Sequence, residues 1–367
     1  MNKALRIFLL TTALTATGAI AARAGTPDVV VSIKPIHSLV AAIMQGVGEP
    51  GLIVEGAASP HTYSMKPSNA TALQKADLVF WVGPGLEPFL EKPLETLGVK
   101  ATVVELEDAP GLEKLPFREG GPFEGHEHGH AHAGDEQHAH EDGHDHGTET
   151  GENHDHEKEA GHKGHEHGES EGHEHGEAEG HEHAHEEGHD HDHGAFDSHL
   201  WLDPQNARAM AAEIASKLVE KDATNAPSYE ANLAALNERL DALDREIVEI
   251  VAPVRDKPFI VFHDAYQYFE HRYGVRTAGS ITVSPESLPG ADRLSKIRQK
   301  VVDLGATCVF AEPQFEPKLV NVVLEGTPAK SGTLDPEAAT FDAGPELYFT
   351  LMKGIATSLR DCLGEPG

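Results

Sequence analysis

The sequence predicts an α/β protein of two (β/α)4 lobes with parallel sheets, joined by one long rigid helix, with a ligand cleft between the lobes. Eight short strand-like runs, most of them apolar, alternate with helical patterns, the grammar of buried parallel strands under covering helices. That grammar is written twice, once on either side of an uninterrupted helical stripe. The stripe itself, Tyr229, Leu233, Leu236, Leu240, Leu243, Ile247 and Ile250, keeps spacings of four and three without a miss.

In chain order, the β-branched run over 28–33 reads as the first strand, and Lys34-Pro35 opens a helix through Leu39, Val40 and Ile43. A second strand over 51–55 runs into a loop that carries His61. Pro67 starts a helix over 67–76, followed by a strand at 77–82, a helix over 84–97 and a strand at 102–106. Asp203 is placed to cap a helix that starts at Pro204. Pro227 and Pro253 bracket the long helix, and about 25 residues give roughly 37 Å. The second half adds strands at 259–262, 280–283, 307–311 and 330–334, with helices at 264–271, 291–304, 317–324 and 346–363. The division that follows is an N-terminal lobe over 25–226, a linking helix over 227–253 and a C-terminal lobe over 254–367. A coiled-coil dimer is the other use of the stripe. The α/β units on both sides need something to pack on, which favours a monomer.

The first lobe is interrupted at about 118–196 by a tract with almost no apolar residues. The quartet Gly164-His165-Glu166-His167 returns at Gly172, at Gly180 and, with Asp for Glu, at Gly188, and 21 of the 26 histidines lie between Gly125 and Gly194. Imidazoles interleaved with carboxylates bind borderline-soft divalent metals. His126, His128, His144, His146, His165, His167, His173, His175, His181, His183, His189, His191 and His193 are the accessory ligands this reading proposes. Such a composition cannot bury enough apolar surface to fold alone and is expected to be disordered without metal. From Glu119 to Asp197, 25 acidic residues against Lys158 and Lys163 leave −23 of the net −32. The remainder is an ordinary soluble chain with no basic surface for nucleic acid.

Lys3 and Arg6 precede an apolar run over 7–20 and the small-x-small triplet Ala22-Arg23-Ala24, which reads as a signal peptide over 1–24. The run is too short to span a membrane. No cysteine near the cleavage point could take a lipid, so the expected compartment is a bacterial periplasm. In an exported chain, the pair Cys308 and Cys362 is expected as a disulfide closing about 55 residues, worth roughly 4 kcal/mol in the chain-entropy account. The competing two-thiolate metal site lacks any histidine near either Cys in sequence.

Ligands of open parallel sheets bind beyond the carboxyl ends of the strands. His61 follows a strand, His263 ends one, and His199 precedes a helix directly after the tract. Three imidazoles suit zinc and leave one tetrahedral position for water or a carboxylate. Asp335, after the last strand, is the natural candidate for that place, with Glu312 a weaker one. His37 has a small claim on the cleft and His271 almost none.

Five segments, Ser59-Pro-His-Thr-Tyr-Ser64, His199-Leu-Trp-Leu-Asp-Pro204, Phe262-His-Asp-Ala-Tyr266, Cys308-Val-Phe-Ala-Glu-Pro313 and Gly332-Thr-Leu-Asp-Pro336, span the chain in order. Together they resemble the periplasmic zinc-binding proteins of ABC uptake systems, the ZnuA type. The resemblance implies a single high-affinity zinc between the lobes held by His61, His199 and His263, and a disulfide between Cys308 and Cys362. Some members have a glutamate just before the first ligand. Here that position is Pro60, which leaves the fourth place to water or Asp335. Manganese-binding relatives have a carboxylate where His263 stands, and imidazole favours zinc over manganese.

The function this implies is capture of Zn2+ in the periplasm and delivery to a membrane permease driven by a cytoplasmic ATPase, with the tract raising local zinc concentration. The alternatives are a periplasmic zinc buffer without a permease and, further off, a three-histidine zinc hydrolase. No HExxH or nucleophile-elbow motif supports an enzyme.

Overall fold

The computed structural model describes residues 25–118, 196–282, 284–285, 288–305 and 308–364. The signal peptide read at 1–24 and the tract histidines from His126 to His193 lie outside these residues. Two four-stranded sheets form, all pairs parallel. The first holds β1 (Val29–Val31), β2 (Gly51–Leu52), β3 (Leu78–Trp81) and β4 (Thr102–Glu105) in the order β2-β1-β3-β4. The second holds β5 (Phe259–His263), β6 (Thr277–Thr282), β7 (Cys308–Ala311) and β8 (Lys330–Thr333) in the order β6-β5-β7-β8. The two orders are the same, and because every pair is parallel one end of each sheet collects the carboxyl ends of its strands.

The described helices are α1 (Lys34–Ile43), α2 (Pro67–Lys75), α3 (Glu91–Leu97), α4 (Pro204–Lys221), α5 (Ala226–Val251), α6 (Gln267–Tyr273), α7 (Ala291–Asp303), α8 (Lys318–Leu324) and α9 (Leu347–Gly364). Proline occupies the first turn of α1, α2, α4 and α5, where its missing N–H costs nothing. Asp203 caps α4 by accepting the Gln205 N–H at 2.8 Å. Two helices, α3 and α6, start several residues later than the sequence suggests. The chain over 83–90 winds instead around the carboxylate of Glu87, which accepts the Val82 and Gly83 N–H groups at 2.8 and 3.1 Å. A β-carbon at Gly83 would meet the Glu107 side chain at 2.2 Å, which reserves that position for glycine, and α3 starts only at Glu91. Likewise α6 begins at Gln267, because the backbone turns tightly after His263 and the Asp264 side chain is engaged elsewhere.

The stripe on α5 is buried at Tyr229, Leu236, Leu240, Leu243, Ile247 and Val251, against α1, α4 and α9. These contacts cover within the chain the face that a coiled coil would need. One continuous apolar core runs through both sheets by way of α5 and α9. A second, smaller core of Ile260, Phe262, Ile281, Ile297, Val301, Val309, Val320 and Val323 lies beneath α7 and α8 in the C-terminal half. Cys308 on β7 and Cys362 on α9 form a disulfide with their Cα atoms 6.2 Å apart. Among the described residues no helix is long and apolar enough to cross a membrane.

Candidate metal centre

Three strand ends and turns deliver three imidazoles to one point. His61 sits in a single 3₁₀ turn, Pro60–Thr62, beyond β2. His199 immediately precedes another, Leu200–Leu202, ahead of α4. His263 is the last residue of β5, paired with Thr282 of β6. Their ligand atoms lie within 4.8 Å of one another, and no other group of three or more metal-ligating side chains is found among the described residues. The Nε2 of His199 lies 3.3 Å from that of His61 and 3.3 Å from that of His263. Arms of about 2.0–2.1 Å at tetrahedral angles put two nitrogens about 3.3 Å apart, the separation a shared zinc would impose.

The tautomers point the same way. His199 Nδ1 lies 2.7 Å from Asp197 Oδ1, which also accepts the His199 backbone N–H at 3.0 Å. His263 Nδ1 lies 2.8 and 2.7 Å from the two oxygens of Glu312, and the Tyr266 hydroxyl donates to Oε1 at 3.3 Å. An Nδ1–H donated to a carboxylate leaves Nε2 a bare lone pair. With Asp197 and Glu312 both charged, the Nε2 lone pairs of His199 and His263 would face each other at 3.3 Å and repel unless a cation sat between them. Burial pushes the Glu312 carboxyl up to about 8, although the His263 N–H and the imidazoles pull the other way. A dication on His263 would therefore favour the charged carboxylate and strengthen its grip on the ring.

The sequence model of the family described as "Zinc-uptake complex component A periplasmic", ZnuA, matches residues 29–362. The chain belongs to this family. It is 56% identical over 337 residues to the high-affinity zinc uptake system protein ZnuA of Brucella suis, covering 92% of each chain. It is 40% identical over 357 residues to the protein of that name from Paracoccus denitrificans, covering 97% of this chain and 98% of that one. The fold is shared with the periplasmic zinc-binding protein TroA of Treponema pallidum, at a TM-score of 0.67 and 18% identity over 92% of this chain and 99% of that one.

Within this family member the carboxylates that sequence offered for the fourth position have other duties. Asp335 turns into its own loop: its oxygens accept the Ala339 N–H at 2.8 Å, the Thr340 N–H at 3.1 Å, the Thr340 hydroxyl at 2.9 Å and the Gln314 amide at 3.0 Å. With four donors it serves as the turn's anchor, and it is not among the groups gathered at the imidazoles. Glu312 stands behind His263. Glu337, buried, has Oε1 3.9 Å from His61 Nε2, and like Asp335 it is not among the groups gathered at the imidazoles. Asp197 and Glu337 escaped the sequence reading. The first had a signal, an acid two residues before a candidate ligand. The second had none beyond lying two residues after Asp335.

His37 is spent on the Pro50 carbonyl, with Nε2 at 3.0 Å, and burial lowers its pKa. His271 is exposed beside Glu113 at 3.5 Å. Asp264, next to His263, is gripped by the Arg118 guanidinium, which also holds Glu270 at 3.0 Å through two nitrogens. Burial raises the Asp264 carboxyl to about 6 while Arg118 pulls it down. Arg118 is the last described residue before the tract, and Pro116 bridges Phe196, the first after it. The Tyr268 hydroxyl on α6 accepts the Leu115 N–H at 3.1 Å and donates to the Asp197 carbonyl at 2.7 Å. Both ends of the tract are thus held together against the second lobe.

Proposed function

We propose that this chain captures Zn2+ in the periplasm through His61, His199 and His263 and hands it to a membrane permease powered by a cytoplasmic ATPase. The observation that supports it best is the set of three Nε2 atoms, His199 lying 3.3 Å from each of the other two, with His199 and His263 buried and their Nδ1 engaged by carboxylates. The zinc uptake named for relatives at 56% and 40% identity supports the transport role. Three imidazoles favour zinc over manganese, whose hard-oxygen preference they do not meet. The His-rich tract serves as an accessory reservoir that raises the zinc concentration beside the site. A signal peptide over 1–24, the lobes at 25–226 and 254–367 with a linking helix at 227–253, and a monomeric state complete the reading.

A hydrolytic reading has less support. Its two general-base candidates, Asp264 and Glu312, are committed to Arg118 and His263. The test is a competitive zinc and manganese titration of wild type, tract-deleted and His61→Ala protein. A tight one-to-one zinc site that survives deletion of the tract and is lost in His61→Ala is expected. Tight binding that disappears with the tract would overturn the assignment. Growth of a tract-deleted strain under zinc starvation, in a host with and without the permease, separates uptake from buffering.

A further inference from the structure

Every residue of the turn that follows His263 is committed to a contact. Ala265 donates its N–H to the His263 carbonyl at 3.0 Å. Tyr266 gives its hydroxyl to Oε1 of Glu312, the carboxylate behind the ring, at 3.3 Å. Both residues are buried. Asp264 is tied to a residue of the first half of the chain, 146 positions earlier: Arg118 donates Nε to Oδ2 at 3.1 Å and Nη2 to Oδ1. The ligand is thus held from one side by its own sheet, through Glu312, and from the other by the root of the tract.

The second half of the guanidinium fork goes to α6. Nη1 and Nη2 donate to the two oxygens of Glu270, both at 3.0 Å, and Glu270 Oε2 also accepts the Thr277 N–H at 3.0 Å where β6 begins. The Arg118 side chain is 22% exposed, and those of Asp264 and Glu270 are 7% and 11% exposed. Solvent therefore screens these pairs little. A planar fork with donors on two carboxylates also fixes direction, which a lysine's point charge would not.

We infer that Arg118 is a positioning residue of the metal centre: through Asp264 it fixes the turn that carries His263, so the root of the tract belongs to the construction of the cleft site. The inference rests on the three-histidine site proposed above. Arg118 is not among the groups gathered at the imidazoles, and it acts on the ion only through the turn. Its charge would act in the opposite sense, because a guanidinium beside a dication repels it. Removing Arg118 should therefore weaken zinc if it positions His263, and tighten zinc if it matters only as a charge.

The test uses the full-length protein, zinc competition against a chelator, and the visible d–d bands of the first equivalent of Co2+, read as the difference from His199→Ala so that tract binding cancels. Arg118→Met should weaken zinc by about tenfold and change the Co2+ bands. Arg118→Lys keeps the charge and loses the fork, so it should fall between Arg118→Met and wild type, and it carries the test if Arg118→Met does not fold. Asp264→Asn should lose affinity in the same direction, and the double variant should lose no more than the larger single loss. Glu270→Gln breaks the other half of the same fork. It should lower the unfolding midpoint of the ion-free protein and leave the Co2+ bands as in wild type. Zinc bound as tightly or more tightly in Arg118→Met, a wild-type affinity in Arg118→Lys, or additive losses in the double variant would each overturn the inference while the three-histidine site stands. A loss of affinity with unchanged Co2+ bands would make Arg118 a structural residue and overturn it as well. If wild type holds no cleft ion, or His199→Ala keeps it, the site itself fails first.

Discussion

His199 and His263 each rest on a carboxylate, and they obtain it in opposite ways. Asp197 lies two residues before His199, in the same turn, and holds both the ring and the backbone N–H. Glu312 comes from the end of β7, 49 residues away, and reaches His263 only because β5 and β7 pair. The first arrangement exists whenever a short turn forms. The second exists only when the C-terminal sheet is assembled, and that sheet carries its own small core and the disulfide. One imidazole is oriented locally and the other by tertiary structure, so damage to the second lobe should reach the metal centre through His263.

The strongest way to break this comparison is to remove the disulfide that ties β7 to α9. Reduction, or the paired change of Cys308 and Cys362 to Ser, should lower the unfolding free energy of the ion-free protein by about 4 kcal/mol, read by denaturant titration. Zinc affinity should fall with it. Undiminished stability would mean that the lobe does not depend on the bridge. The comparison is sharpened by changing the two carboxylates themselves. Substituting either should weaken zinc by about 10–100-fold, with Glu312→Gln at the upper end. Both Glu312 oxygens contact the ring, whereas Asp197→Asn keeps an acceptor at the same local position. Equal losses in competitive titrations would erase the distinction.

The smallest effect concerns pH. Glu312 holds its proton up to about 8, against an ordinary value of 4.5. A group that binds its proton more tightly when folded stabilises the ion-free protein fully below about 4.5 and withdraws that stability as pH rises through about 8. The ion-free unfolding midpoint should therefore drop by a few degrees between pH 6 and 8, and less so in Glu312→Gln. The increment added by zinc should grow over the same interval, because the ligands bind as free bases. A calorimetric series with and without zinc checks both signs.

Most strands were legible because they are short apolar runs ended by turn residues, β6 and β8 being more polar, and a strand end is where the cleft must lie. That placed His61 and His263, and the turn before Pro204 placed His199. The division of labour among the acids was not legible. Asp335 and Glu337 stand two residues apart with the same chemistry, and only the folded loop shows that Asp335 spends its oxygens on Ala339, Thr340 and Gln314. Glu312 reads equally well as a ligand or as a support until the pairing of β5 with β7 sets it behind a ring. Helix 84–97 was overextended because the wrapping of the chain around Glu87 leaves no periodic trace.

The bridge between Pro116 and Phe196 has an evolutionary consequence. An insertion whose two ends meet is attached at a single point, and closing a longer loop costs only about 0.6 kcal/mol for each doubling of its length. Residues can therefore be gained or lost between those ends, repeat by repeat, with little change in the stability of the two lobes. On the proposed reading of the tract as a metal reservoir, the number of its histidines becomes a trait that selection can tune while the three-histidine site is inherited unchanged.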